Sequence, residues 1–318
     1  CKALVSMARF KTSDYLGMLR ELVPELATCA PGQLQAARLP ALRTVVWIDV
    51  AGQGADEPGM LRFSELQAQG RADDARVQQV AATLQATDPI NIQFTSGTTG
   101  FPKGATLTHR NILNNGFFIG ECMRLTPADR LCIPVPLYHC FGMVLGNLAC
   151  LTHGSTIVYP SDGFDALAVL QAVQAERCTG LHGVPTMFIA ELDHPRFAEF
   201  DLSSLRTGIM AGSPCPIEVM KRVVGQMHLS QITIAYGMTE TSPVSCQSST
   251  DTPLDKRVST VGLVQPHLQV KIIDPETGAL VPRGQSGELC TQGYSVMHGY
   301  WGDEAKTREA IDADGWMH

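Results

Sequence analysis

The sequence contains no apolar run long enough to cross a bilayer. Its longest nearly unbroken apolar stretch, Met143 to Leu151, is far shorter than the ~20 residues that a membrane-spanning helix needs. It also has no excess of positive charge, because 24 Lys and Arg residues face 31 Asp and Glu residues, a formal net charge of −7. Basic excess is the usual signature of nucleic-acid and anionic-membrane binding. The composition therefore argues against both kinds of partner.

The ten cysteines form no C-x-x-C pair and no Cys/His pattern with zinc-finger spacing. Several lie inside apolar runs, as Cys132 and Cys150 do, which is typical of buried, reduced thiols in a cytosolic protein. Residues 1–10 lack the basic stretch and long apolar core of a signal peptide, and no initiating Met is present. We expect a cytoplasmic location, with the mitochondrial matrix as the alternative for a eukaryotic source. We also expect the chain to begin inside a larger protein.

The order of predicted elements favours an α/β fold with buried, largely parallel sheets. After a strand at 2–7, a helix at 12–26, a strand at 44–50 and a helix at 73–86, strands and helices alternate. The alternating part has strands at 90–94, 131–135, 155–159, 207–211 and 232–236, and helices at 108–124, at 165–177 and from 216. Short strands at 268–274, 287–291 and 295–300 follow, separated by Gly/Pro turns. We therefore predict α/β subdomains over 1–255 and a smaller β-rich subdomain over 256–318.

Residues 95–104, T-S-G-T-T-G-F-P-K-G, are rich in hydroxyls and glycines and carry one lysine. Glycines allow close backbone approach, and hydroxyls, backbone N–H groups and a mobile cation suit a polyphosphate. The segment is not a Walker A loop, because Pro102 replaces the second glycine and Gly104 follows the lysine. We expect it to join a strand to a helix. Its candidate phosphate-binding residues are Thr95, Ser96, Gly97, Thr98, Thr99, Gly100 and Lys103.

Three further segments carry candidate chemistry. Tyr236 ends a predicted strand just before Gly237, where an aromatic ring can lie against a purine. Nearby, Thr239 can donate to a phosphate and Glu240 is a hard oxygen ligand suited to Mg²⁺. Residues 212–214 follow a strand and precede a helix, which by itself equally describes a plain turn. His139 lies in an apolar run, where a lone histidine is most often a packed core residue.

Five segments in order resemble the motifs of the AMP-forming superfamily of acyl-CoA synthetases, luciferases and peptide-synthetase adenylation domains. They are 95–104, 137–142 (L-Y-H-C-F-G), 211–214 (A-G-S-P), 236–240 (Y-G-M-T-E), and the set 287–289, 299–301 and 314–316. Residues 88–94, 136–140 and 294–301 are most similar to the medium-chain fatty-acyl-CoA synthetases called acyl-CoA synthetase family member 2. The resemblance implies part of the family's large N-terminal domain, with a distorted barrel as its β-rich subdomain.

The resemblance also implies roles for particular residues. It makes Lys103, Thr239, Glu240 and His139 catalytic, with Glu240 and the Thr95 hydroxyl holding Mg²⁺. It places the nucleotide against Gly212, Ser213, Pro214, Tyr236, Gly237, Met238 and Thr239. His139 becomes a gate between nucleotide and acyl tunnel, and the tunnel walls include Val184, Pro185, Thr186 and Met238. The implied cofactors are ATP and Mg²⁺, with CoA as co-substrate.

The function implied is ATP-dependent activation of a fatty acid, most simply of medium length, to an acyl-adenylate and then to its CoA thioester by an acid–thiol ligase. Two alternatives stay open: adenylation of an aryl, short-chain or amino acid, and a non-catalytic nucleotide-binding fragment. Family members continue beyond this point with Thr-Gly-Asp, a hinge and a C-terminal domain carrying a catalytic lysine. We therefore expect the 318-residue chain alone to form no acyl-CoA. The expected partners are small molecules, and the sequence leaves a homo-oligomer open.

Overall fold

Short runs of apolar residues at 3–5 and 45–48 lie in the strands of a small parallel sheet in the first of two units, Cys1–Thr83. The computed structural model describes residues 1–48, 56–70, 74–95 and 101–318. The described strands and helices of this unit are β1 (Ala3–Met7), β2 (Arg9–Phe10), β3 (Ser13–Asp14), α1 (Tyr15–Leu22), β4 (Thr44–Ile48), β5 (Leu61–Arg62), α2 (Phe63–Gln69) and α3 (Asp74–Ala81). β1 pairs in parallel with β4, and β4 with β5, while β2 and β3 form a short hairpin.

The helix predicted over 12–26 is shorter than expected at both ends. Residues 13–14 pair with β2 instead, so that Asp14 becomes the N-cap of α1 and accepts a hydrogen bond from the Gly17 N–H at 3.0 Å. Pro24 ends the α-helical path and starts a 3₁₀ turn over Pro24–Ala27. The last two residues of the strand predicted over 44–50 and the first residue of the helix predicted over 73–86 lie outside the described residues.

The second unit, Leu84–His318, contains a seven-stranded sheet and smaller antiparallel sheets. Its strands are β6 (Pro89–Thr95), β7 (Lys103–Thr108), β8 (Arg130–Cys132), β9 (Thr156–Val158), β10 (Gly180–Gly183), β11 (Thr207–Ala211), β12 (Gln231–Gly237), β13 (Val244–Gln247), β14 (Leu263–Val264), β15 (Leu268–Ile273), β16 (Glu288–Gly293) and β17 (Gly299–Tyr300). Its helices are α4 (His109–Met123), α5 (Ala149–His153), α6 (Ala166–Glu176), α7 (Pro185–Leu192), α8 (Ile217–Gln226), α9 (Leu254–Ser259) and α10 (Glu304–Ala310).

The large sheet has the order β14-β13-β12-β11-β10-β8-β9, and the five strands from β12 to β9 are parallel. Successive side chains of a strand point to opposite faces. Accordingly Ile209 of β11 joins one core cluster, with residues of α4, and Met210 joins a second, with residues of α6, α7 and α8. The predicted α/β fold with a largely parallel sheet is confirmed. A membrane-spanning helix would have to be longer and more apolar than any helix among the described residues.

Two strands of the predicted β-rich part pair with strands from the rest of this unit. β14 extends the large sheet, and β17 pairs with β7 to form the three-stranded sheet β17-β7-β6. β15 and β16 form a two-stranded ladder, so the described strands do not close into a barrel. The strand predicted over 295–300 is reduced to Gly299–Tyr300. The boundary predicted between 255 and 256 stays a prediction.

Candidate active site

The glycine- and hydroxyl-rich segment lies between two antiparallel strands. Thr95, the last residue of β6, pairs with Lys103, the first residue of β7. The prediction that this segment joins a strand to a helix is therefore wrong. Residues 104–108 continue the antiparallel ladder with β6, and α4 begins only at His109. A β-prone run, Ala-Thr-Leu-Thr, with Ala105 and Leu107 fully buried, explains why the chain stays extended here. Ser96, Gly97, Thr98, Thr99 and Gly100 lie outside the described residues.

Lys103 is held against a buried tyrosine. The Lys103 Nζ donates to the Tyr300 hydroxyl at 3.1 Å and also lies 4.5 Å from the centre of its ring. The antiparallel pairing of β17 with β7 aligns Tyr300 with Ala105 and so brings the tyrosine beside the start of β7. This contact joins residues that are 197 positions apart in the chain.

The same tyrosine hydroxyl donates to the Glu240 Oε1 at 2.8 Å. Burial raises the pKa of Tyr300, and the hydrogen bond and charge of Glu240 raise this pKa further, so the hydroxyl keeps its proton at neutral pH. A phenol can donate one hydrogen bond and accept another. Lys103, Tyr300 and Glu240 therefore form a continuous chain from an ammonium to a carboxylate that is only 8% exposed.

Glu240 belongs to a tight turn at the end of β12. Residues 239–241 form a single 3₁₀ turn, and the register of β12 against β13 shifts between Tyr236 and Gly237. Such bulges often redirect side chains next to active sites. A Cβ on Gly237 would lie 1.7 Å from the Pro243 carbonyl oxygen, so only glycine fits this approach. The turn also contacts β7, the strand that begins with Lys103.

Two of the predicted nucleotide segments line one cleft of about 510 Å³. Gly212, Ser213 and Pro214 come from the turn after β11, and Tyr236 and Gly237 from the end of the adjacent strand β12. Gly212 has φ of +89°, a conformation that favours glycine. The cleft is also lined by four residues that no sequence motif indicated: Val258, Ser259, Thr260 and Val261.

Thr239 contacts Cys140, the residue that follows His139. The Thr239 hydroxyl lies 3.4 Å from the Cys140 Sγ, which places residues 137–142 beside the turn that carries Glu240. His139 is exposed rather than packed in the core, and its Nδ1 accepts a hydrogen bond from the Phe141 N–H at 3.0 Å. Partial burial still lowers the pKa of His139, which favours the neutral ring.

The predicted acyl-pocket residues are only partly gathered by the structure. Val184 and Met238 are half-buried against the same core cluster, which also contains Phe141. Val184 reaches within 3.1 Å of the position that a Cβ on Gly212 would take. Pro185 is buried at the start of α7, whereas Thr186 is exposed. Their role as acyl-pocket walls stays a prediction.

Tyr300 is the functional candidate that the sequence did not reveal. It lies in the Gly299-Tyr-Trp segment, which was notable for its resemblance but had no role of its own. Open α/β sheets bind ligands at the carboxyl ends of their strands, which is where Gly212 and Tyr236 line the cleft. The fold and this cleft together define a candidate nucleotide-binding α/β protein.

The chain belongs to the AMP-binding enzyme family, which matches residues 23–301. It is 49% identical over 316 residues to the acyl-CoA synthetase YngI of Bacillus subtilis (strain 168), covering 99% of this chain and 57% of that protein. It is 46% identical to the mitochondrial medium-chain acyl-CoA ligase ACSF2 of Danio rerio, covering 99% and 52%. The chain thus spans about half the length of these curated relatives.

Solved structures agree on the fold. A long-chain-fatty-acid-CoA ligase, FadD1 from Archaeoglobus fulgidus, superposes with a TM-score of 0.75 at 21% identity, covering 99% of this chain and 58% of that one. At this identity the likeness supports the architecture alone.

Proposed function

We propose that this protein activates a fatty acid of medium chain length with ATP and transfers the acyl group to CoA, acting as an AMP-forming acid–thiol ligase. The observation that carries the proposal is the series of hydrogen bonds Lys103–Tyr300–Glu240. Glu240 lies in the turn that directly follows the cleft residues Tyr236 and Gly237. Family membership and the names of the two relatives support the same reaction.

In the first step a carboxylate oxygen forms a bond to the α-phosphorus of ATP, and the bond to pyrophosphate breaks. The carboxylate is already ionised, so no general base is needed. In the second step the CoA thiol gives its proton to solvent, its sulfur bonds to the acyl carbon, and AMP leaves with the electron pair of the broken carbon–oxygen bond. Phosphoryl transfer depends mainly on positioning and charge stabilisation. The residues of this site therefore act by binding and orienting.

Each candidate residue has a distinct part. The adenine ring lies against Tyr236, with the turn 212–214 on its other side. Lys103 donates to phosphate oxygens, and Tyr300 fixes the direction of its ammonium. The Thr239 hydroxyl donates a hydrogen bond to the α-phosphate. His139 is exposed just before the helical segment Phe141–Leu148 and separates the nucleotide from the acyl chain.

The donor set at this site suits Mg²⁺. The Glu240 carboxylate and the hydroxyls of Thr95 and Thr239 are hard oxygen ligands of the kind that Mg²⁺ prefers beside phosphates. We propose that Glu240 and Thr95 hold the ion. When bound, Mg²⁺ would neutralise part of the charge on the phosphates.

The proposed acid is an alkyl carboxylate of medium length. The candidate wall residues Val184, Pro185, Thr186 and Met238 carry no charge that could bind the ammonium of an amino acid. The name of the Danio rerio relative points the same way. We propose a cytoplasmic location, and the mitochondrial name of that relative makes the matrix the second candidate.

Acid-dependent exchange of labelled pyrophosphate into ATP tests the proposal in the natural full-length protein. Octanoate should support faster exchange than acetate, palmitate, benzoate or any amino acid, and added CoA should yield octanoyl-CoA. Preference for acetate, benzoate or an amino acid would assign a different substrate class. Absence of exchange with every acid, in a protein that still binds ATP, would leave only nucleotide binding.

A further inference from the structure

A second cluster of side chains lies where the last described segment pairs with β16. Glu288 and Cys290 are two residues apart on β16, so they share one face of the strand. Met317 exchanges backbone hydrogen bonds with Thr291, at 2.8 and 2.9 Å. This pairing brings His318 to the same face, where the ligand atoms of Glu288, Cys290 and His318 all lie within 4.8 Å of one another.

The two separations from His318 to the other members of this cluster match those around a tetrahedral metal. The His318 Nδ1 lies 3.5 Å from the Cys290 Sγ and 3.3 Å from the Glu288 Oε2. Zinc bond lengths of ~2.3 Å to sulfur and ~2.0–2.1 Å to nitrogen and oxygen, at tetrahedral angles, give edges of about 3.5 Å and about 3.3 Å. One Nδ1 cannot both accept a proton from the thiol and donate one to the carboxylate, whereas one metal ion satisfies all three atoms.

The other ring nitrogen of His318 is oriented as it would be in a metal site. Its Nε2 lies 3.4 Å from the Asp312 Oδ2. The second carboxylate oxygen of Asp312 accepts from the Asp314 and Trp316 N–H groups at 2.9 and 2.8 Å, which fixes the carboxylate. Metal-bound histidines commonly donate their free N–H to such a carboxylate.

We propose that Glu288, Cys290 and His318 bind one Zn²⁺ ion, with Asp312 orienting the histidine and a water molecule completing the tetrahedron. Thiolate and imidazole ligands select a borderline-soft ion and disfavour Mg²⁺ and Ca²⁺. The fully buried thiol is joined by two partly exposed ligands, so an ion can enter from solvent. Lys271, which pairs with Cys290 across the ladder, lies 3.9 Å from Asp312.

Binding requires loss of the thiol proton. A free cysteine is mainly a neutral thiol at neutral pH. Binding therefore forms a Zn–S bond while the thiol releases one proton to solvent. The competing arrangement contains no metal: His318 carries two protons and bridges Glu288 and Asp312 as an ion pair.

Cobalt titration of the metal-stripped, reduced chain separates these two arrangements. Co²⁺ replaces Zn²⁺ with the same ligands and reports on them. We expect one equivalent to produce a thiolate-to-cobalt charge-transfer band together with the intense visible bands of four-coordinate cobalt, and Zn²⁺ to remove both. Proton release should accompany the titration. A chain that shows no charge-transfer band contradicts the proposal and supports the ion pair.

Matched variants identify the ligands. Cys290→Ser and His318→Ala should lose the charge-transfer band, whereas Cys122→Ser, which changes another thiol of the same unit, should keep it. Asp312→Asn keeps the acceptor for the two N–H groups but loses the charge beside Nε2, and should weaken cobalt binding by about 10- to 100-fold. Circular dichroism establishes that each variant is folded. A band that survives in folded Cys290→Ser would overturn the assignment. The candidate active-site residues take no part, so the outcome is independent of the proposed function.

Discussion

Removing the single hydroxyl of Tyr300 tests the Lys103–Tyr300–Glu240 chain. Tyr300→Phe keeps the ring, and with it the Lys103 contact at 4.5 Å, but deletes the donor to Glu240 and the acceptor for Lys103. Lys103 is only half-buried and can turn to water, whereas the buried Glu240 loses a donor that water cannot easily replace. A hydrogen bond to a charged group contributes about 1.5–3 kcal/mol. We expect the free energy of unfolding to fall by that amount.

Tyr294→Phe is the matched control. Tyr294 is half-buried, and within the described part of the chain its hydroxyl has one long contact, at 3.4 Å, with the uncharged Asn115 amide. Thermal and urea unfolding of both variants measure the difference, and for a unit of this size about 1 kcal/mol corresponds to a shift in Tm of about 2–4 °C. If Tyr300→Phe is no less stable than Tyr294→Phe, the hydroxyl does not hold the buried carboxylate.

Three further predictions concern separate parts of the second unit. Glu240→Gln should leave AMP binding intact but raise the Mg²⁺ needed for pyrophosphate exchange about 10-fold or more; an unchanged magnesium dependence would exclude Glu240 as a ligand. Burial lowers the pKa of His182 from 6.5 to about 4. The free energy of unfolding should therefore fall by up to about 3 kcal/mol as the pH drops from 6.5 to about 4. Acid unfolding of His182→Gln should show a smaller fall over the same pH range. Gly237→Ala should unfold more easily and lose nucleotide affinity. Gly225 lies in open space on α8, so Gly225→Ala should be at least as stable as the parent. Equal effects of the two substitutions would contradict the close approach at Gly237.

The sequence predicts best where local rules and burial agree. The strand at 207–211 is confirmed residue for residue, and the helices beginning after Thr108 and Asp165 start at side-chain caps visible in the sequence. In contrast, the apolar run from Phe141 to Leu148 forms a π-helix that was not predicted. A nearly unbroken apolar run lacks the periodicity that distinguishes one helix type from another.

The candidate site likewise contains residues that could be predicted from the sequence and residues that could not. Gly212–Pro214 and Tyr236–Gly237 are separate motifs in the sequence, and parallel pairing of β11 with β12 brings them to one cleft. Tyr300 could not be assigned because its contact with Lys103 depends on the pairing of β17 with β7, across most of the unit. No local pattern encodes such a pairing. The same holds for Thr260, which reaches the cleft only through the placement of α9.

Titration of the chain with Mg-ATP measures directly whether Lys103 binds the phosphates of a nucleotide. Lys103→Ala should weaken ATP binding by roughly 1–3 kcal/mol, the range of a charge-assisted hydrogen bond. AMP binding should change much less. Lys221→Ala is the control, since Lys221 is an exposed lysine paired with Glu218 on α8. Equal ATP affinities in the parent, Lys103→Ala and Lys221→Ala would contradict the account.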